Sequence, residues 1–203
     1  YHLRAPEDFF REAEGKAIKG LVLRTAKGEK QGELMITKYG LEGTPVYTVG
    51  ATGPAHLDLK PDLSLEKLTA RLDSWTGPPP RRIEKGAKLS PGAFLLVKHL
   101  FPEATTASTE TASHLLKNFP IFLENPRPLS EAISSRGGLS WDELGPNMEI
   151  QNHAGIFAAG EMLDWDAPTG GFLLQACVST GYRAAGGIMD YVRNESATPN
   201  SHA

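Results

Sequence analysis

Apolar residues along the first fifty positions come in short clusters separated by polar or glycine-bearing breaks, which predicts strands and turns. Ala17 to Arg24 and Gly32 to Thr37 read as two strands. The polar stretch Lys27-Gly28-Glu29-Lys30 between them predicts a hairpin. Gly40 to Pro45 reads as a tight turn from its glycines and proline. Val46-Tyr47-Thr48-Val49 fits a short strand or the start of a helix, and periodicity does not choose between them. His56-Leu57-Asp58-Leu59 alternates and predicts a strand.

The middle of the chain changes to helical spacing. Ser64 is placed to cap a helix with Leu65, Leu68 and Leu72 on one side. The run Gly77-Pro78-Pro79-Pro80-Arg81-Arg82 ends it. Ser90-Pro91 reads as a cap followed by proline in the first turn, opening a helix that stops at Pro102. A third helix is predicted from Ser108 to Asn118, with Leu115 and Leu116 inward. Pro120, Pro126 and Pro128 then predict a stretched connector. These short helices suggest a small helical subdomain.

From Leu129 the texture changes again. Glu131 to Trp141 reads as strand, glycine turn, strand, and Gly155 to Gly160 as a short apolar strand of the buried parallel kind. A polar loop leads into one long helix from Gly171 to about Asn194. Its apolar side is rich in small residues: Ala176, Gly181, Ala184, Ala185 and Gly186. The expected fold class is α+β: an antiparallel β-rich part with a helical subdomain, joined to a strand-helix unit. The stretch 195–203 is expected to be a disordered tail.

Composition narrows the partners. The 203 residues are 40% hydrophobic and 22% charged, with a formal net charge of −3. That balance gives no basic face for nucleic acid or an anionic membrane. No apolar run approaches the roughly 20 residues of a membrane helix. A single cysteine, Cys177, excludes an intramolecular disulfide and suits a reducing, cytoplasmic setting. Cys177 has no second thiol or basic neighbour and reads as a packing residue. The six histidines share no metal-ligand spacing, so no metal site is expected. The start Tyr-His-Leu-Arg-Ala-Pro is polar and lacks an initiator Met, and the expectation is a chain cut from a longer one.

The segment that carries chemistry runs from Gly155 to Gln175. An apolar stretch ends at Gly160, where no Cβ blocks the approach of a ligand, and Glu161 follows at once. A carboxylate there suits a polyol hydroxyl, because a charged acceptor makes a strong hydrogen bond. Gly170-Gly171-Phe172 opens the long helix, whose first N–H groups lack intrahelical partners and whose dipole is positive at that end. Such an end suits a group that becomes negative during reaction, as the N1/C2 edge of a reduced flavin does. Trp165 lies in the loop between the two, placed either to shield a ligand or to pack.

The sequence Ala159-Gly160-Glu161-Met162-Leu163-Asp164, followed by Thr169-Gly170-Gly171-Phe172-Leu173-Leu174-Gln175, closely resembles the C-terminal FAD signature of the aminoacetone-oxidase/YhiN-like NAD(P)/FAD-dependent oxidoreductases. Gly32 to Gly43, Arg136-Gly137-Gly138-Leu139 and Pro128 to Ala132 resemble three further elements of that family in the same order. The region from about Asp73 to Phe119 fits least well. The resemblance implies a flavoprotein acting on a small organic substrate, with an FAD domain interrupted by a substrate-side insert. Residues 1–128 would be the later part of that insert and 129–194 the return to a Rossmann-like FAD domain. Glu161 would then bind ribityl hydroxyls, Gly170, Gly171 and Phe172 would offer N–H groups to the pyrimidine edge, and Gly137 and Gly138 would border the ring.

Two departures and one absence accompany the resemblance. Lys38 stands where the family usually has His, and its Ser-Gly-Pro reads Glu42-Gly43-Thr44-Pro45. These positions face substrate in relatives, which makes Lys38 a substrate-side candidate beside Trp165 without identifying the substrate. No Gly-x-Gly-x-x-Gly occurs anywhere in the chain, although that element holds the pyrophosphate in this fold. The chain is therefore expected to lack the N-terminal nucleotide-binding half and to bind FAD weakly or not at all by itself. Two rival readings follow from the same absence: a non-catalytic remnant, and one half of a split protein completed by a Rossmann-bearing partner chain.

Overall fold

In the computed structural model, residues 1–78, 81–132, 134–135, 137–167 and 170–197 are described. They form two compact units, Tyr1–Arg127 and Pro128–Ala203.

The predicted hairpin is the centre of the first unit. Strand β1 (Ala17–Thr25) pairs antiparallel with β2 (Gly28–Ile36), and Thr25 faces Gly28 across a loop of Ala26 and Lys27 alone. The turn is thus tighter than the polar run suggested, with Gly28 to Lys30 already in the ladder. The β1–β2 register breaks between Ile18 and Leu21, where Gly20 adopts φ +61°. A left-handed glycine at such a point is the mark of a bulge. The bulge leaves Lys19 N–H to donate to the Ser90 hydroxyl at 3.2 Å. Ser90 therefore ties a helix to the sheet instead of capping it through its side chain.

Three further strands complete an antiparallel sheet of order β3-β2-β1-β4-β5: β3 (Leu41–Glu42), β4 (Gly53–Asp58) and β5 (Phe119–Leu123). Strand β5 corrects the expected connector. Phe119, Ile121 and Leu123 are buried in alternation, and Pro120 faces His56 on the outer strand of the sheet. Proline lacks a ladder donor, but an outer strand has one side on which none is needed.

One helix falls where only strands and turns were expected, and a second resolves an open choice. Helix α1 (Glu7–Ala13) buries Phe9 and Ala13. Helix α2 (Thr44–Val49) resolves the ambiguity at Val46 to Val49. Pro45 sits in its first turn and Val46 and Val49 point inward. Helices α3 (Leu65–Asp73), α4 (Pro91–Leu100) and α5 (Thr109–Lys117) follow the predicted positions. Ser64 and Ser108 cap α3 and α5 by accepting from Lys67 N–H and Thr111 N–H. On α5, Leu116 is buried and Leu115 half-buried. Among the described residues these helices share one hydrophobic core with the sheet.

One ion pair crosses that packing. Asp58, 4% exposed, receives Lys117 Nζ at 2.7 Å and the Lys60 N–H at 3.0 Å, with Arg24 3.6 Å away. Lys117 Nζ also donates to the carbonyls of Lys60 at 2.9 Å and Leu63 at 2.8 Å. Its three donors are thereby matched, and α5 is locked to β4 and the loop after it.

The second unit holds single helical turns at Leu129–Glu131, Trp141–Glu143 and Gly160–Met162, and the long helix α6 (Gly170–Ala197). Helix α6 starts and runs as predicted, and includes Glu195 to Ala197 of the expected tail. Residues 198–203 lie outside the described residues. The two strands expected within Glu131 to Trp141 do not form. Leu139 makes a lone parallel bridge to Leu163, while Ile133 and Arg136 lie outside the described residues. Gly155 to Gly160 is not a buried parallel strand either. Ile156 is 52% exposed and Phe157 forms one antiparallel bridge, to Glu149. An apolar run becomes a parallel strand only where neighbouring strands pair with it. Among the described residues of this unit there is no such neighbour.

Removing Lys117 should leave the buried Asp58 with only the more distant Arg24 guanidinium as a counter-charge. Lys117→Met is expected to cost about 3 kcal/mol in urea unfolding. Adding Asp58→Asn, which keeps an acceptor for Lys60 N–H, should recover most of that loss.

Candidate functional site

Gly160 sits at the junction of the apolar stretch and a single helical turn, with φ +77°, a conformation that favours glycine. Its N–H donates to the Thr180 hydroxyl at 3.0 Å. That hydroxyl in turn donates to the Ala176 carbonyl one turn back, at 2.7 Å. A Cβ placed on Gly160 would lie 3.8 Å from Cys177 Sγ. The turn bearing Glu161 is thus seated directly on α6 near Cys177. That level is two helical turns, about 10 Å, from the first residue of the helix.

The Gly137-Gly138 segment docks on the other end of the same turn. Gly138 has φ +142°, and a Cβ there would meet the Met162 carbonyl oxygen at 2.4 Å. Leu139 N–H donates to that carbonyl at 2.9 Å, and Asp164 N–H donates to the Leu139 carbonyl at 2.9 Å. Gly137, at φ +88°, faces open space. Three of the predicted elements are therefore brought side by side: the two-glycine segment, the Glu161 turn and the first half of α6.

The side chains divide by exposure. Glu161 is exposed, and so are Gly171 and Phe172 at the start of α6. Trp165 is half-buried against the small core of Met148, Ala158, Leu163 and Ala184, so it packs there as well as bordering the segment. Its neighbour in space, Trp141, donates from the indole N–H to the Asp164 carbonyl at 3.1 Å. Lys38 belongs to the first unit. It is exposed in the turn between β2 and β3, with its ammonium 5.8 Å from the Tyr39 ring centre.

Sequence reasoning missed the anchoring residues of α6. Of the small residues expected to pack, Ala184 is buried, Ala176 and Gly181 are half-buried, and Ala185 and Gly186 are exposed. The packed strip follows Cys177, Thr180, Ala184, Gly187 and Tyr191, a spacing of three and four that a count along the helix exposes. Gly187 is required there, since a Cβ would fall 2.4 Å from the Asn147 carbonyl oxygen. Cys177 is half-buried and free.

The residues present fit one end of a flavin. An exposed carboxylate matches the donors of a polyol chain. The first amides of a 28-residue helix, which have no intrahelical acceptor, match the carbonyl edge of a pyrimidine ring. The described residues include no group of three His, Cys, Asp or Glu side chains placed to hold a metal ion.

The family model described as the HI0933-like protein Rossmann domain matches residues 18–187, which cross both units. A curated relative, the 3-dehydro-bile acid delta(4,6)-reductase of Clostridium scindens, is 23% identical over 198 residues. The match covers 82% of this chain and 46% of that protein, so the chain spans about half the length of the relative.

Gly138→Ala should destabilise the second unit more than Gly160→Ala. The former drives a Cβ into a carbonyl. The latter meets only ordinary contact and costs the roughly 1–2 kcal/mol of a left-handed backbone. Urea unfolding followed by near-ultraviolet circular dichroism of Trp141 and Trp165 tests the order.

Proposed function

The chain belongs to the HI0933-like Rossmann-domain family, and from that membership we propose that it supplies the ribityl and ring side of the cofactor site in an FAD-dependent oxidoreductase. The observation that carries this reading is the seating of the Glu161 turn on α6 through the Gly160–Thr180 hydrogen bond. It leaves an exposed carboxylate and an exposed helix start on one unit. The axial offset between them is comparable to the reach of a Glu side chain plus a polyol chain.

When bound, FAD supplies the electron transfer, and the protein supplies position and charge. Glu161 accepts hydrogen bonds from the ribityl hydroxyls. The N–H groups of Gly170, Gly171 and Phe172 face the pyrimidine carbonyls and stabilise negative charge that develops there. Gly137 and Gly138 border the ring, where the absence of side chains allows close approach. The substrate is a small organic molecule, with Lys38 and Trp165 as the substrate-side candidates. In this reading residues 1–128 are the later part of an inserted domain, and 129–194 are the return of the FAD domain.

Within the family, the aminoacetone-oxidase/YhiN-like branch is the finer placement we favour, on the Gly160 to Gln175 signature. The reductase named among the relatives favours a reaction in which the flavin gives electrons to the substrate. A second reading has the chain as one half of a split protein. The match covers 46% of the length of that relative.

Glu161→Ala in the protein that carries its nucleotide-binding portion should weaken FAD by about 10- to 100-fold, the worth of a charge-assisted hydrogen bond. The thermal midpoint should not change, because Glu161 is exposed. Equal affinity in a fluorescence-quenching titration would contradict the assignment. The 203-residue chain alone should lose added FAD on desalting, and retention of a stoichiometric flavin would contradict the expected dependence on the second portion.

A further inference from the structure

Three separate stretches of the first unit meet on the ring of Tyr39. Residues 1–4 join the two ends of the sheet: His2 bridges Gly40 beside β3, and Leu3 bridges Leu123 on β5. That pairing puts the His2 ring 5.1 Å from the Tyr39 ring, which lies in the turn between β2 and β3. Arg127, shortly after β5, lays its guanidinium over the same ring, 4.3 Å from the centre. Arg127 Nη1 donates to His2 Nε2 at 3.2 Å, which fixes the guanidinium in place. The exposed Lys38 ammonium stands over that ring too, at 5.8 Å. An aromatic ring attracts cations without neutralising them. No carboxylate of the described residues pairs with Lys38. Glu42, on β3, is close by: it and Arg127 both lie within electrostatic reach of the Tyr1 amino group. Tyr47, on α2, is 57% exposed and is the one exposed large hydrophobic side chain among the described residues of this unit. Its phenol lies within electrostatic reach of Glu42 and Tyr39.

We propose that Lys38, Arg127 and Tyr47 form a binding site for an organic monoanion, a carboxylate carried on an apolar or aromatic body. Lys38 and Arg127 take the carboxylate. A guanidinium presents a planar fork to its two oxygens, and an ammonium adds a point charge. Lys38, Arg127 and Glu42 together carry one net positive charge at neutral pH, which matches a carboxylate better than a doubly charged phosphate. Tyr47 offers apolar surface to the body of the molecule. His2 is a positioning residue, because it holds Arg127 and not the ligand. The site lies wholly within the first unit and needs no flavin. Naming its ligand as the substrate rests on the flavin reading above, whereas the binding itself does not.

Titration of the 203-residue chain with sodium benzoate at constant ionic strength, followed by NMR of the Tyr39 amide, tests the inference. A saturable shift with a Kd on the order of 1 mM is expected. Benzamide, the neutral analogue, and inorganic phosphate should each bind about ten-fold more weakly than benzoate. Lys38→Gln and Arg127→Gln should each weaken benzoate about ten-fold, and Arg127→Lys should restore part of that loss. Lys38→Gln lies on an exposed turn and should leave the melting midpoint unchanged, so this comparison is independent of folding. Lys27→Gln, exposed in the β1–β2 loop, should leave benzoate affinity unchanged. Tyr47→Ala should weaken benzoate several-fold and leave acetate unaffected. The proposal is overturned by a shift that does not saturate, by equal binding of benzamide, or by a preference for phosphate. An equal loss in Lys27→Gln, or unchanged benzoate affinity in Tyr47→Ala, overturns it as well. Benzoate binding at this site alongside unchanged flavin affinity in Glu161→Ala leaves the anion site standing and contradicts the flavin reading. A failed titration alongside weakened flavin in Glu161→Ala does the reverse.

Discussion

The hydrogen bond from Gly160 N–H to the Thr180 hydroxyl fixes where the Glu161 turn lies on α6. Thr180 can accept it because its own proton is given to the Ala176 carbonyl within the helix. The same turn is held from the far side by Leu139 N–H, which reaches the Met162 carbonyl only because Gly138 has no Cβ. A helix, a one-turn helix and a glycine segment are thereby stacked with little side-chain bulk between them. Backbone groups and one exposed carboxylate are left to face outward. That arrangement suits recognition of a ligand through its hydroxyls and carbonyls, since small residues let main-chain donors come close.

The first unit is built on a different principle. Among the described residues its sheet and helices share a single core, and the buried pair of Asp58 and Lys117 is matched further by two carbonyls and a backbone N–H. The second unit has a much smaller core, formed by Met148, Ala158, Leu163 and Ala184.

What was legible in the sequence follows from which interactions are local. The β1–β2 hairpin, the capped helices α3 and α5, and the long α6 are each specified by residues within a few positions of one another. Strand β5 was hidden because Pro120 argues against a strand unless the strand lies at an edge, and edge position is a property of the whole sheet. Helix α2 was ambiguous for the same reason, as four apolar-rich residues fit either state until Pro45 is known to occupy a first turn. At the site, the motif from Gly160 to Phe172 could be read directly. Thr180 and Gly187 could not, because their importance comes from the helix face that meets the turn. The apolar run at Gly155 to Gly160 reads as a parallel strand and is not one here, because a strand requires neighbours that no local pattern supplies.

A crystal structure with FAD bound measures the central relation directly. The account predicts the Glu161 carboxylate within hydrogen-bond distance, about 3 Å, of ribityl hydroxyls. It also predicts the first amides of α6 at the same distance from the pyrimidine edge of that same flavin. A structure in which Glu161 and the start of α6 face different ligands, or in which either faces only solvent, would contradict it.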